Sequence, residues 1–315
     1  IVNGTGIAVL GADVGTGSAA GEALISNVQD RTTFDVLAAN TGGAVTLTAT
    51  SGIAGTGTDV IDDSTLSLTM NMAEAVAVGN NASGSMLLEG NTVGGGAGIV
   101  SSQAGDTSTT TANLTGNTVT LNAADTLETS TAELTGNTQR AIAAGNIVSS
   151  SLTVDTNEAL VSTATGGVAT AGVSTTVISS DAAYAVGTLQ SQVGNVTAEA
   201  LNGGFTLDAD VDVSAASTVT NDSNTRVAAA YANDASSRIA IDATVINAAE
   251  GSIAASGSQQ DMTATITARA GGATNPSVVT TNVDGAVLNS SVSTSTNTVE
   301  ALAMGNRTTT TSVMV

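Results

Sequence analysis

The chain has no cysteine, histidine, tryptophan or lysine, one proline, and only two Tyr and two Phe in 315 residues. Without thiols or imidazoles, thiolate nucleophiles, Ser-His-Asp relays and the usual zinc ligand sets are excluded. Schiff-base and P-loop chemistry go with the missing lysine. Carboxylates remain for acid-base work or calcium, but sugar-cleaving clefts are usually lined with aromatic rings, so no enzyme and no cofactor are expected. The basic groups are six arginines (Arg31, Arg140, Arg226, Arg238, Arg269, Arg307) against 27 carboxylates, a net charge of -21. That balance repels nucleic-acid backbones and anionic membrane surfaces. No apolar run reaches about 18 residues, so no membrane insertion is expected. Charged residues are only 10% and mean hydropathy is +0.25, the wrong side for disorder. The start Ile1-Val2-Asn3-Gly4 reads as a mature, processed end.

What remains is Ala, Thr, Ser, Gly, Val and Asn, arranged in repeats. Leu88-Glu89-Gly90-Asn91-Thr92, Leu114-Thr115-Gly116-Asn117-Thr118 and Leu134-Thr135-Gly136-Asn137-Thr138 resemble one another. Asn71 to Asn91, Asn117 to Asn137 and Asn137 to Asn157 are each 20 residues apart. Gly94-Gly95-Gly96-Ala97-Gly98 reads as a loop insertion. A second pattern, Asn-x-x-x-Ala-x-Ala-x-(Gly/Ala)-Asn, recurs at Asn71 to Asn80, Asn137 to Asn146, Asn224 to Asn233 and Asn297 to Asn306, the two asparagines nine residues apart in each. Gly and Asn accept positive φ, so these asparagines are read as structural corners, and stacked copies are able to form amide ladders. Between them the apolar residues alternate, as in Leu66/Leu68, Ala112/Leu114, Ala132/Leu134 and Leu152/Val154, the period of a β-strand. The expected fold is all-β: one β-solenoid over residues 1–315, clearest at about 66–160, with rungs of about 20 residues. Roughly 15 rungs at about 4.8 Å would make a rod on the order of 70 Å long, with a thin, alanine-lined interior. Asn275-Pro276 is the expected protruding loop.

Within the Asn-to-Asn segments one face is always small (Ala75 and Ala77, Ala141 and Ala143, Ala228 and Ala230, Ala301 and Ala303) and the other varies. The small face suits the interior. Val76, Val78, Ile142, Tyr231, Leu302 and Met304 are then expected outside; the reverse assignment is the alternative. Val76, Val78, Leu302 and Met304 are candidate subunit contacts, together with Val313, Met314 and Val315, because the end alternates to its last residue and a solenoid exposes unpaired strand edges. A truncated end is the plain alternative. Asp208, Asp210 and Asp212 are expected on one strand face, a solvated acidic face in preference to a calcium site, since the calcium-binding nonapeptide pattern is missing. No metal site is expected.

The Leu-Thr-Gly-Asn-Thr corners and Asn-Thr-x-x-Ala-x-Ala-x-Gly-Asn segments resemble bacterial surface β-repeat proteins, most closely the holdfast anchoring (HfaD-like) proteins of stalked alphaproteobacteria. That resemblance implies an extracellular protein on a Gram-negative cell surface that fastens an adhesive polysaccharide. Curli-type fibre subunits have similar rungs, but their Gln-rich positions are not evident; trimeric autotransporter heads match Ala75 to Ser83 locally. The expected function is a structural protein that self-assembles into, or anchors, an adhesive fibre of the holdfast or biofilm type. Its expected partners are further copies joined by end stacking or strand donation, other surface anchor proteins, or polysaccharide. A non-polymerising adhesin head that binds a surface or host ligand is the alternative.

Overall fold

The structure, a computed structural model, describes residues 7–9, 17–19, 23–51, 60–94, 97–161, 168–170, 177–178, 184–209, 212–248, 254–272 and 279–315. The described residues contain strands and turns and no helix. They wind through four coils, and corresponding strands pair in parallel between coils. Sheet 1 holds Ala23–Arg31, Ala97–Gly105, Tyr184–Gln192 and Ala254–Met262; sheet 2 holds Val36–Thr41, Thr110–Thr115, Val196–Leu201 and Ile266–Ala270. Sheet 3 holds Ala44–Ala49, Thr118–Ala123, Gly204–Ala209 and Val279–Val283. Sheet 4 is short, with Val60–Asp62, Thr126–Glu128 and Val213–Ser214, the last bridged to Val287. Sheet 5 holds Thr65–Thr69, Thr131–Thr135, Thr218–Asp222 and Ser291–Ser295. The long strands Met72–Gly94, Thr138–Val161, Thr225–Ala248 and Thr298–Met314 form sheet 6.

The β-solenoid class stands, but the turn is much longer than 20 residues. Asn137 stacks on Asn71, 66 residues on; Asn224 on Asn137, 87 on; and Asn297 on Asn224, 73 on. Four coils replace the expected 15 or so, and at about 4.8 Å per step the first and last lie about 14 Å apart. The 20-residue spacing from Asn117 to Asn137 instead links two corners of one coil, while Asn91 and Asn157 lie inside long strands. Gly116 (φ 69) and Gly136 (φ 66) are both left-handed and both precede an asparagine, because each corner makes the same sharp turn. Leu88 to Thr92 is no corner; it lies inside the long strand Met72–Gly94. Gly94 ends that strand and Ala97 and Gly98 open the first strand of the next coil, so these three are not a loop; Gly95 and Gly96 lie outside the described residues.

The cross-section has three cores. Sheets 3, 4 and 5 enclose Leu121, Leu127, Leu134, Phe205 and Leu207; sheet 2 and the first half of sheet 6 enclose the alanines and Leu114; sheet 1 and the second half of sheet 6 enclose Ile99, Leu152, Tyr184 and Ile239. The thin alanine-lined interior is real only in the second of these. Elsewhere the coil is wide enough to bury Phe205 and Tyr184 fully. In the middle coils the strands of sheet 1 are buried on both faces. A small antiparallel sheet of Ile7–Val9, Gly17–Ala19, Val168–Thr170 and Val177–Ile178 lies beside them.

Polar ladders run through this stack. At the turn from sheet 5 to sheet 6, Asn71 Nδ2 donates to Asn137 Oδ1 (2.9 Å), Asn137 to Asn224 (2.8 Å) and Asn224 to Asn297 (3.0 Å). The backbone N–H of each donates to the same oxygen, at 2.9 to 3.1 Å. Before these corners sit Met70, Ser223 and Thr296 at positive φ, a conformation that costs a side-chain-bearing residue about 1 kcal/mol or more. Asn117, at the sheet 2 to 3 corner, lies between Gly43 and Gly203, where a Cβ would come within 2.4 and 2.0 Å of Asn117 atoms. One turn earlier Ser64, Ser130 and Ser217 donate their N–H to the hydroxyl one coil on, ending at Ser290.

The ladder holds the middle coils most strongly, since Asn137 and Asn224 are both buried and Asn71 and Asn297 only half-buried. Asn137→Ala orphans the donors of Asn71 and the acceptor of Asn224, at about 1–3 kcal/mol per buried group. Urea unfolding should show Asn137→Ala losing at least about 2 kcal/mol, with Asn157→Ala, whose amide pair with Asn91 is exposed, within about 0.5 kcal/mol of the parent. Equal losses would show that the ladder contributes nothing specific.

Candidate assembly surface

The two ends of the stack carry the features that bear on function. In sheets 1, 2, 3, 5 and 6 the outermost strands belong to the first and fourth coils, and among the described residues each has a paired neighbour on one edge only. Core columns are uncovered there. Val45 in the first coil and Val292 and Met314 in the fourth are exposed, although the residues stacked on them in the middle coils are buried.

The last strand pairs with its own chain. Val313 and Met314 lie beside Ala240 and Ile241, and Val315 N–H donates to Ile241 O at 3.0 Å. Among the described residues no strand pairs with its other edge, and Val313, Met314 and Val315 belong to the fourth coil.

The flank residues also come together. Val76, Ile142, Ala229 and Leu302 form one column on sheet 6, and Val78, Ala144, Tyr231 and Met304 the next. Ala75, Ala77, Ala141, Ala143, Ala228 and Ala230 are buried on the opposite face, as expected from their constant small size. Val76 is exposed; Val78, Ile142, Tyr231, Leu302 and Met304 are half-buried. Ion pairs on the outside tie coil to coil: Glu74 with Arg140, Glu199 with Arg269 and Asp234 with Arg307. The Arg307 guanidinium also sits 4.9 Å from the Tyr231 ring centre.

Of the asparagines read as corners, Asn71, Asn117, Asn137, Asn224 and Asn297 stand between strands. Asn80, Asn146, Asn233 and Asn306 do not; they lie inside the long strands. There they form a second ladder, at 2.8, 2.7 and 2.8 Å, where the strand passes from facing sheet 2 to facing sheet 1. Asn80, Asn146 and Asn233 also donate to carbonyls at the end of sheet 1, which pins that junction. Asn91 and Asn157 are likewise inside long strands, beside Glu89 and Asp155 in a shallow, open depression.

A glutamine column escaped the sequence reading. Gln260 donates to Gln190, Gln190 to Gln103 and Gln103 to Gln29, at 2.7, 3.0 and 2.8 Å. The column takes one glutamine from each coil. Gln103 and Gln190 each lie 34 residues before the asparagine that opens the segment of their coil, but Gln29 and Gln260 lie 42 and 37 before theirs, so loops of unequal length hide the column in the sequence.

Asp208 lies in the strand Gly204–Ala209, while Asp212 follows that strand and accepts from Ala286 N–H at 2.7 Å. They do not share a strand face, and Asp210 lies outside the described residues, as does Asn275-Pro276. Among the described residues no group of three or more acidic side chains is arranged to hold a metal ion.

Two electrostatic features were not legible in sequence. Arg226 is fully buried, one guanidinium nitrogen donates to Gly203 O, and its Nε and Nη2 have no hydrogen-bond partner. Burial pushes it down to about 10. Its neighbour one coil below, Gln139, spends its amide on Asn117 O at 2.8 Å. The Asp222 carboxylate is held below its ordinary value by hydrogen bonds from Thr296 and Ser295, and Asp35 by the backbone N–H of Thr109. Each of these bonds joins adjacent coils.

No family model, curated protein or solved structure matches the chain.

Replacing Arg226 by Gln, the residue used one coil below, should raise stability to urea by about 1–3 kcal/mol, because a buried charge without a counter-charge is removed. A loss of stability would mean that the guanidinium is fully compensated. For Asp35 and Asp222 the folded value is depressed, so their contribution is complete above the unfolded value of about 4 and is lost as pH falls through the folded one. The melting temperature should drop below about pH 4, and less steeply in the Asp35→Asn/Asp222→Asn double variant.

Proposed function

We propose that this chain is a structural protein of the bacterial cell surface that builds an adhesive fibre by stacking coil on coil. The observation that carries the reading is the coil-on-coil stack itself, held by parallel strand pairing and by amide ladders that repeat from coil to coil. The sequence chemistry is consistent with such a material: no thiol, imidazole or amine nucleophile, and polar side chains consumed by ladders. The extracellular, Gram-negative setting and the link to holdfast-type attachment rest on the resemblance of the corner and strand motifs. Further surface anchor proteins or polysaccharide are the proposed attachment partners.

The two apolar columns on the flank of sheet 6 favour a second reading, an adhesin head that does not polymerise and holds its ligand along that flank. Electron microscopy of the concentrated protein separates the two. Stacking predicts filaments whose axial repeat is built from steps of about 4.8 Å. With a net charge of -21, filament growth should increase with added salt, which screens the repulsion. Discrete particles at every concentration and salt level would overturn the stacking proposal.

A further inference from the structure

We infer that the outer face of sheet 6 is a side-by-side contact between two copies of this chain, separate from coil-on-coil stacking and not dependent on it. Side chains alternate along the long strands, so the face away from the alanines is a grid of columns with one residue from each coil. The apolar columns of Val76 and Val78 lie in the middle of that grid. A contiguous apolar surface of this kind marks an interaction site.

Charge singles the patch out. The chain carries -21, so two copies repel one another over most of their surfaces. Across the columns that run from Met72 to Ser85 in the first coil, the carboxylates Glu74, Asp234 and Glu300 are matched by Arg140, Arg238 and Arg307, and the charge cancels. Two columns further along, Glu89, Asp155 and Asp242 make an acidic column that bounds the neutral patch. A cationic partner would be drawn to the acidic faces instead, and an anionic one repelled by the whole molecule. A neutral, half-apolar surface is what fits here, and the patch is itself such a surface.

It is also complementary to itself about a two-fold axis parallel to the coil stack, placed between the columns of Val76 and Val78. Each coil then faces its own counterpart, however many coils take part. The column of Val76 lies on the column of Val78 of the second copy, and in the middle coils large meets small: Ile142 on Ala144, and Ala229 on Tyr231. One column outward, Glu300, which is in none of the described ion pairs, comes opposite Arg307, whose guanidinium already holds Asp234. Beyond it Thr138, Thr225 and Thr298 meet Ser149, Ser236 and Thr309, hydroxyl on hydroxyl. The overlap runs from Met72 to Ser83 across four strands, about 36 Å by about 19 Å, or about 700 Å² per copy. Specific dimers bury an area of this size.

Sedimentation velocity of the full chain in added salt, which screens the remaining repulsion, should show dimers. Val76→Glu places a charge at the centre of the contact from an exposed site, and should weaken dimerisation about tenfold or more. Leu37→Glu makes the same change at an exposed apolar residue on the outer face of sheet 2, and should leave it unchanged. Both should keep the parent's urea midpoint. Glu300→Arg, which sets arginine against arginine, should also weaken the dimer about tenfold. Monomers at every concentration and salt level would overturn the contact, as would equal losses in Val76→Glu and Leu37→Glu. Loss in Val76→Glu with none in Glu300→Arg would overturn the two-fold register. Filaments whose width is unchanged by Val76→Glu would overturn side pairing and leave stacking intact, whereas dimers without filaments would overturn stacking and support this contact.

Discussion

A polar side chain inside a parallel coil has few places to send its hydrogen bonds. The backbone around it is committed to the ladder between coils, so the group must reach a turn carbonyl or the matching side chain one coil away. Asn137 does both, donating to Leu68 O and to Asn224 Oδ1 while accepting from Asn71. Gln103 does the same with Ile147 O, Gln29 and Gln190. Register follows from this constraint, because a slip by one residue would leave each of these amides buried without its partner. The wide cross-section, with three separate cores, depends on it too. The asparagines inside sheet 6 hold the junction where the long strand passes from one core to the next.

Where the constraint is relaxed, the molecule shows the cost. Arg226 stands in the column of Gln139 and Val299, among neighbours of different chemistry, and two of its nitrogens go unmet. Each ladder has one direction through the four described coils, the asparagine and serine columns one way and the glutamine column the other. The outer face works differently: charges there pair in adjacent coils through arginines that stay about half exposed, so each pair contributes little to stability.

Much of this was legible in the residues. Alternation of apolar and polar positions marked the strands, Gly-Asn pairs marked true corners at Asn117 and Asn137, and constant alanines marked the inward face of sheet 6. The length of the turn was misread for a physical reason. Two corners of the same coil require the same left-handed residue and the same capping amide, so Leu114 to Thr118 and Leu134 to Thr138 look like copies stacked on each other when they are neighbours along the path. Similar local chemistry measures the turn type, not the distance to the next coil. The genuine coil marker was the rarer nine-residue Asn-to-Asn segment, which recurs once per coil.

The sequence by itself determined that the chain forms short strands with sharp corners, that its alanine face points inward, and that thiol, imidazole and amine chemistry are closed to it. Those properties depend on local backbone preference and on which atoms exist. Only the tertiary structure decided that a turn takes 66 to 87 residues, that Gln29, Gln103, Gln190 and Gln260 form one column, and which way each ladder points. These depend on which residues meet across a coil, and pairing between segments so far apart in the chain leaves no mark in the local pattern of either.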